Sequence, residues 1–354
     1  MKKKLLTGLI GVILLAAIIV VAVFGAEITK ESSARYAKEN QEELLTIGFS
    51  QVGAESDWRT ANSISMKQTF TPERGYDLIF DDAKQKQSNQ IMAIRRFIQQ
   101  GVDYIVLAPV VESGWDTVLE EAKRAGIPVI IIDRKVSVKD EDLYTAWIGS
   151  DFYLEGQKAC KALMRYVEQK QIQEVNIVNI QGTLGATAQI GRSRALEDAA
   201  AKYGWNLLAQ ESGEYIEARA YEVMSKMLKE HENINFVYCE NDNEAFGAID
   251  AIRDAGKTVG SEGDIQIISF DATKEGLSRM LQGELLINVE CNPWQGYYVE
   301  KVIDQLEQNA LQQKEWNVPE EVFVSMGEDF EIMLGGKTYT VSNVTESIIK
   351  KRQY

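Results

Sequence analysis

Ile47-Gly48-Phe49-Ser50-Gln51-Val52-Gly53-Ala54-Glu55-Ser56-Asp57-Trp58-Arg59 runs from an apolar, strand-like segment directly into a group of charged, hydroxylic and aromatic side chains. The same arrangement returns further along the chain. Asp133-Arg134 ends the run Val129–Ile132, Tyr215 follows Leu207–Gln210, and Asn241 and Asp271 follow Phe236–Cys239 and Ile265–Phe270. Arg192 stands near the start of a helical stretch, after the loop Gly182-Thr183-Leu184-Gly185. Residues as distant as Ser50 and Asp271 converge on one small ligand only if parallel strands present their carboxyl ends to a common crevice, where open α/β sheets bind ligands. The pattern reads as a binding site and not as a catalytic centre.

Working outward from these stretches, strand-like runs at Leu44–Phe49, Leu78–Phe80, Tyr104–Ala108, Val129–Ile132, Val175–Ile180, Leu207–Gln210, Phe236–Cys239 and Ile265–Phe270 alternate with helical patterns such as Ile91, Ile94, Phe97 and Ile98. Such alternation predicts βαβ units and a mostly parallel sheet. Uninterrupted apolar runs such as Ile130-Ile131-Ile132 suit strands covered on both faces. A chain of 354 residues fits two domains of ordinary size. The expected fold is therefore α/β, with two similar lobes that each carry a parallel sheet with helices on both faces. Lobe I is assigned to residues 44–150 plus 292–320, lobe II to 151–291 plus 321–340, and a carboxyl-terminal tail to 341–354. Segments near 148–150, 286–292 and 321–325 are expected to form a three-strand hinge.

Ahead of the folded part, Met1-Lys2-Lys3-Lys4 precedes an uncharged run from Leu5 to Phe24. A helix of that length spans about 30 Å, the hydrocarbon thickness of a bilayer. Phe24 occupies the outer position of an A-x-A-like cleavage site, where a small residue is usual, which favours an uncleaved anchor over a removed signal peptide. Residues 1–26 are thus read as a membrane anchor, the three lysines as cytoplasmic and the remainder as extracellular. A cleaved segment would instead release a secreted or periplasmic protein. Residues 27–43 lack an apolar face and are read as a polar stalk.

The overall balance excludes several classes. A net charge of -15 disfavours nucleic acid and anionic membrane surfaces as partners. Cys160, Cys239 and Cys291 have neither metal-ribbon spacing nor an even-numbered framework and are read as small buried residues. The single histidine, His231, lies in the polar stretch Lys229–Glu232, so a Ser-His-Asp triad or a multi-histidine metal site is not expected. There is no phosphate-cradling G-x-x-x-x-G-K-[ST] loop. Asp133 and Asp271 as an acid–base pair is the weakest reading, since each has a simpler role as a hydroxyl acceptor. Neither cofactor nor metal is expected.

The opening stretch, together with Gln85-Lys86-Gln87, Asn89-Gln90, Ala108-Pro109-Val110-Val111, Gly114-Trp115, Asp133-Arg134, Gln181-Gly182-Thr183, Gly185-Ala186, Arg192, Asn241-Asp242, Phe270-Asp271 and Tyr354, resembles the sugar-binding solute receptors of ABC transporters in the ribose-binding cluster. The likeness runs over residues 44–354 and is strongest to the galactofuranose-binding type. It implies the type I periplasmic-binding-protein fold, a monomer closing on a galactofuranose-like monosaccharide, and delivery to a membrane permease. The alternative output is an anchored sensor reporting to a histidine kinase or chemoreceptor.

The ligand residues so implied are Ser50, Glu55, Trp58, Arg59, Asp133 and Arg134 from one lobe and Arg192, Tyr215, Asn241 and Asp271 from the other. Their chemistry agrees, because a sugar presents hydroxyls on its rim and C–H bonds on its faces, calling for forked polar groups and aromatic rings. Tyr215 stands where similar proteins usually carry Phe, and Glu55 where ribose receptors carry Asn. The glutamine of the last hinge strand is missing from Val289-Glu290-Cys291-Asn292-Pro293, leaving Glu290 or Asn292 as substitutes. Trp115 is read as lining the crevice or packing, and Asp242 as capping the following helix.

Overall fold

The computed structural model describes residues 44–354; the anchor and stalk expected at 1–26 and 27–43 lie outside the described residues. The chain builds a first sheet from strands β1 (Leu45–Gln51), β2 (Tyr76–Asp82), β3 (Tyr104–Leu107), β4 (Val129–Ile132) and β5 (Ala146–Gly149). Helices α1 (Asp57–Thr69), α2 (Gln87–Gln100) and α3 (Asp116–Arg124) connect them. These five strands are parallel, in the order β5-β4-β3-β1-β2. β4, the run Val-Ile-Ile-Ile, is wholly buried because both faces are covered. Ile130 and Ile132 pack with Ile47 and Phe49 on one side. Val129 and Ile131 pack with Ile94, Phe97 and Trp115 on the other.

After α4 (Phe152–Gln169) a second sheet begins with β6 (Asn176–Gln181), α5 (Thr187–Tyr203), β7 (Asn206–Ser212), α6 (Glu217–Glu230), β8 (Phe236–Cys239), α7 (Asp242–Asp254), β9 (Gln266–Asp271), α8 (Lys274–Leu281) and β10 (Ile287–Glu290). Its parallel core runs β10-β9-β8-β6-β7. The chain then returns to the first sheet with α9 (Gly296–Glu307), packed on α1, and with β11 (Glu315–Asn317), paired to β5. It crosses once more into the second sheet with β12 (Val322–Val324), antiparallel to β10. The two sheets are therefore connected by three chain passages, at Ser150, at 291–295 and at 318–321.

The carboxyl-terminal segment departs from the expected tail. β13 (Phe330–Leu334) and β14 (Lys337–Asn343) form an antiparallel pair that joins the second sheet beside β12, and α10 (Glu346–Lys351) follows. In β13 the alternation of buried Phe330 and Ile332 with exposed Glu331 and Met333 explains the strand. The last residues are tied down as well. The Tyr354 hydroxyl reaches Glu290 Oε1 at 3.0 Å and the backbone oxygen of Asp271 at 3.3 Å, while Arg352 pairs with Glu290.

Helices α6 and α7 pack closely because Gly247 has no side chain. A Cβ there would lie 2.1 Å from the backbone oxygen of Glu217 and 2.9 Å from the nitrogen of Tyr221. Backbone cannot yield as a side-chain tip can, so Gly247→Ala is expected to destabilise the fold by about 1–3 kcal/mol. Urea unfolding checks this: the midpoint falls with the slope unchanged.

Candidate functional site

The carboxyl ends of β1 and β4 face those of β8 and β9 across a crevice lined by Glu55, Ser56, Trp58, Arg59, Asp133, Arg134, Phe152, Ala188, Arg192, Tyr215, Asn241, Asp271 and Cys291. The walls stand close together and leave only a narrow crevice between them. The two sides already touch at the rim. Asp57 N donates to Asn243 Oδ1 (3.0 Å), Lys135 N to Thr187 Oγ1 (2.9 Å) and Glu112 N to the Gly185 carbonyl (2.9 Å).

On the first-sheet side, Ser56 caps α1 by accepting from Arg59 N at 3.2 Å, which fixes Trp58 and Arg59 in the first helical turn. Arg59 Nη2 donates to Asp133 Oδ2 at 2.6 Å and to Glu55 Oε1 at 3.1 Å, and Nη1 donates to Gln51 Oε1 at 3.3 Å. Arg134 Nη2 donates to the same Glu55 oxygen at 2.6 Å, while Nη1 donates to the Val110 carbonyl at 3.0 Å. Across the crevice, Arg192 donates through Nε and Nη2 to Glu155 Oε2 at 2.9 and 2.7 Å and through Nη1 to the Glu240 carbonyl, with Asp271 Oδ1 3.7 Å away. Each of these guanidinium groups is already matched to a carboxylate, so the wall offers an anionic ligand no unpaired cation. It offers an uncharged polyol both donors and acceptors.

Three polar atoms of the wall are buried without a protein partner: Glu55 Oε2, Arg134 Nε and Tyr215 Oη. Such atoms cost free energy unless something satisfies them. Burial pushes the Tyr215 hydroxyl well up, so it keeps its proton and can donate. Burial likewise raises the carboxyl of Asp271, against the opposing pull of Arg192. The apolar faces come from Trp58, Phe152 and Tyr215. Trp58 also donates from Nε1 to the Cys291 carbonyl at 2.5 Å, and the Tyr215 ring lies so close to the backbone of Gly182 that a Cβ there would meet it at 1.9 Å.

The backbone is strained where these side chains are presented. Asp133 and Tyr215 have φ near 63° and Asp271 has φ near 93°, conformations that side-chain-bearing residues rarely adopt. Strain of this kind costs about 1–3 kcal/mol per residue and clusters at functional sites.

Nine of the ten residues expected from the sequence line the crevice; Ser50 does not. Side chains alternate along β1, so Gln51 points toward Arg59 and Asn62 while Ser50 turns to the opposite face with Gly48, beneath Gln90. Helix α7 is capped by Asn241, whose Oδ1 accepts from Glu244 N at 2.8 Å, and not by Asp242. Asp242 is the first helical residue and is buried among Ser269, Thr273 and Asn288. Asn241 therefore keeps only its amide donors free of capping duty, one of them 3.3 Å from the Tyr215 carbonyl.

At the second passage Cys291 reaches the crevice. Glu290 faces Arg352 and Tyr354 instead, and Asn292 Oδ1 accepts from Trp294 N at 2.9 Å. Trp115 is fully buried in the first-sheet core and donates to the Val111 carbonyl, so its role is packing. All three cysteines are free and buried. His231 ends α6.

The sequence reading missed Phe152, Ala188, Cys291 and the partner of Arg192, Glu155. Glu155 carried a usable signal, a charged residue on the same helical face as Phe152, Ala159 and Ala162, all buried. Among the described residues, no three His, Cys, Asp or Glu side chains are grouped to hold a metal ion, and no helix is long and apolar enough to cross a membrane.

Residues 47–310 match the family model of the periplasmic binding protein domain, and the chain belongs to that family. It is 40% identical over 253 residues to the galactofuranose-binding protein YtfQ of Escherichia coli, an alignment covering 70% of this chain and 78% of the relative. Among solved structures, it resembles a Mycobacterium smegmatis protein in complex with β-D-fucofuranose, with a TM-score of 0.76, 40% identity, and coverage of 79% of this chain and 91% of the other. The periplasmic binding protein component of the arabinose ABC transporter from Shewanella sp. ANA-3, bound to α- and β-L-arabinofuranose, gives a TM-score of 0.74 at 42% identity with the same coverage.

Glu240, fully buried at the end of β8, supports the second-sheet wall. Its carboxylate accepts from Ser193 Oγ at 2.6 Å and Gly182 N at 2.9 Å. Burial nevertheless pushes its pKa from 4.5 up to about 7. A carboxyl with a raised folded-state pKa contributes stability that is present below about 4.5 and lost as the pH rises through about 7. That interval is worth about 3 kcal/mol. Wild-type protein is therefore expected to lose up to about 3 kcal/mol more than Glu240→Gln between about pH 5 and pH 8, as measured by urea unfolding at each pH.

Proposed function

We propose that this protein is an extracellular sugar-binding receptor that closes on one furanose monosaccharide, galactofuranose-like in shape, and delivers it to an ABC transporter permease. The observation that carries the reading is the crevice itself: forked polar groups and aromatic side chains from both sheets line one narrow space, and three buried polar atoms of its wall lack a protein partner. Family membership and the furanoses bound by similar proteins support the ligand class. Glu55, Arg59, Asp133, Arg134, Arg192, Asn241 and Asp271 bind hydroxyl and ring oxygens, and Trp58 and Tyr215 cover the ring faces.

Closure is the working step, and periplasmic binding proteins are a standard case of hinge closure around a ligand. Lobe I, at 44–150 plus 292–320, and lobe II, at 151–291 plus 321–340, move about the three chain passages. The rim contacts between Asp57 and Asn243 and between Lys135 and Thr187 then belong to the closed form. Residues 1–26 tether the receptor to the membrane, and 27–43 hold it clear. The protein acts as a monomer and performs no chemistry on its ligand: the site residues are spent on mutual pairing and hydroxyl recognition.

Calorimetric titration with methyl β-D-galactofuranoside, D-galactose, L-arabinose, D-fucose, D-ribose and D-glucose tests this. The expected result is tight one-to-one binding of a sugar able to present a furanose ring, weakened roughly a hundredfold in Asp133→Ala, because a charge-assisted hydrogen bond is worth about 1.5–3 kcal/mol. Folded protein that binds none of the six would overturn the reading.

A further inference from the structure

Asp271, at the end of β9, stands in the crevice wall, yet among the described residues nothing donates a hydrogen bond to its carboxyl; the Arg192 guanidinium comes no nearer than 3.7 Å. The direction of that carboxyl is therefore set by the backbone beneath it. That backbone is strained, because Asp271 (φ 93°) and Ala272 (φ 49°) are successive residues in the left-handed region, a conformation that persists only where the surroundings impose it.

Four backbone groups in succession show what imposes it. Ala272 N donates to Asn288 Oδ1 at 2.9 Å, and Thr273 N donates to Asp242 Oδ2 at 2.8 Å. The two outer groups are held by one residue 83 positions beyond Asp271. The Tyr354 hydroxyl donates to the Asp271 carbonyl at 3.3 Å, and Lys274 N donates to the Tyr354 backbone oxygen at 2.5 Å. Tyr354 thus grips the turn at both ends.

Tyr354 is itself fixed. Its hydroxyl accepts from Arg352 Nη1 at 2.7 Å and also faces Glu290 Oε1 at 3.0 Å, so its one proton is shared between the Glu290 carboxylate and the Asp271 carbonyl. Donation from the guanidinium makes that proton a stronger donor. Arg352 in turn pairs with Glu290, and its Nη2 lies 3.5 Å from Glu321 Oε2 on the third passage. The Tyr354 ring packs behind the crevice wall, against the apolar group that includes Trp58 and Tyr215.

We propose that Tyr354 is a positioning residue for ligand binding: it acts through Asp271, whose carboxyl it aims into the crevice by holding both ends of the turn 271–274. The effect on affinity rests on the sugar-receptor reading; the hold on the turn does not. Tyr354→Phe separates hydroxyl from packing, since it keeps the ring and the backbone oxygen and removes the hydroxyl alone.

The first test needs no sugar. Hydrogen exchange of the full-length chain, followed by mass spectrometry, is expected to be at least about threefold faster over residues 271–276 in Tyr354→Phe, with β3 and β4 unchanged. Unchanged exchange in the turn overturns the proposal. So does faster exchange across both sheets, which marks a general loss of stability instead of a local hold.

The second test is calorimetry with methyl β-D-galactofuranoside and L-arabinose. Tyr354→Phe is expected to weaken binding about fivefold in the wild-type background, less than about twofold in Asp271→Ala, and again about fivefold in Asp133→Ala, because a residue acting through Asp271 couples to that position alone. Equal losses in all three backgrounds, or none in the wild type, overturn the link to affinity. If neither sugar binds the wild type while exchange in the turn responds as expected, the sugar reading fails and the hold of Tyr354 on Asp271 stands.

Discussion

Burial of three guanidinium groups against carboxylates, at the meeting line of two sheets, is the constraint on which the rest of this structure depends. Arg59, Arg134 and Arg192 are each about 2% exposed. Withdrawing them from water is costly, and a buried ion pair seldom repays that cost relative to well-packed apolar residues. The paired arrangement with Glu55, Asp133 and Glu155 limits the penalty without filling the crevice. Stability alone does not account for such a set, whereas recognition of a neutral, hydroxyl-rich ligand does.

The fold serves this constraint from both sides. Parallel strands buried on both faces end in a row, so the residues at or just beyond the ends of β4, β8 and β9 arrive at the crevice together. Helix starts supply the remainder: Ser56 and Asn241 cap α1 and α7, and each cap orients the residues around it. Positive φ at Asp133, Tyr215 and Asp271 turns side chains inward at positions where ordinary strand geometry would send the chain onward. The carboxyl terminus contributes from behind, where Tyr354 joins the backbone of Asp271 to Glu290 on the neighbouring strand and packs against the group containing Trp58, Tyr215 and Cys291.

Much of this was legible before any coordinates. Apolar runs located the main parallel strands to within two residues, because strands covered on both faces leave a continuous signal. The polar residues after those runs were readable because a charge following a buried parallel strand has few places to go besides the ligand crevice. Legibility failed where the signal was short or pairwise. β11 has only three residues, and β13 and β14 are recognisable as strands mainly through pairing with each other. Ser50 was misplaced by one step of the two-residue strand period, and the capping role went to Asp242 when its neighbour Asn241 holds it.

The sequence by itself determined the α/β alternation and the chemical character of the site, since hydrophobic period and residue type are local properties of the chain. Only the tertiary structure decided that the chain passes three times between the two sheets, which carboxylate holds which arginine, and that Cys291 and not Glu290 or Asn292 reaches the crevice. Those pairings depend on the directions in which side chains leave strands and helices that are distant in sequence, and on burial that no single segment achieves alone.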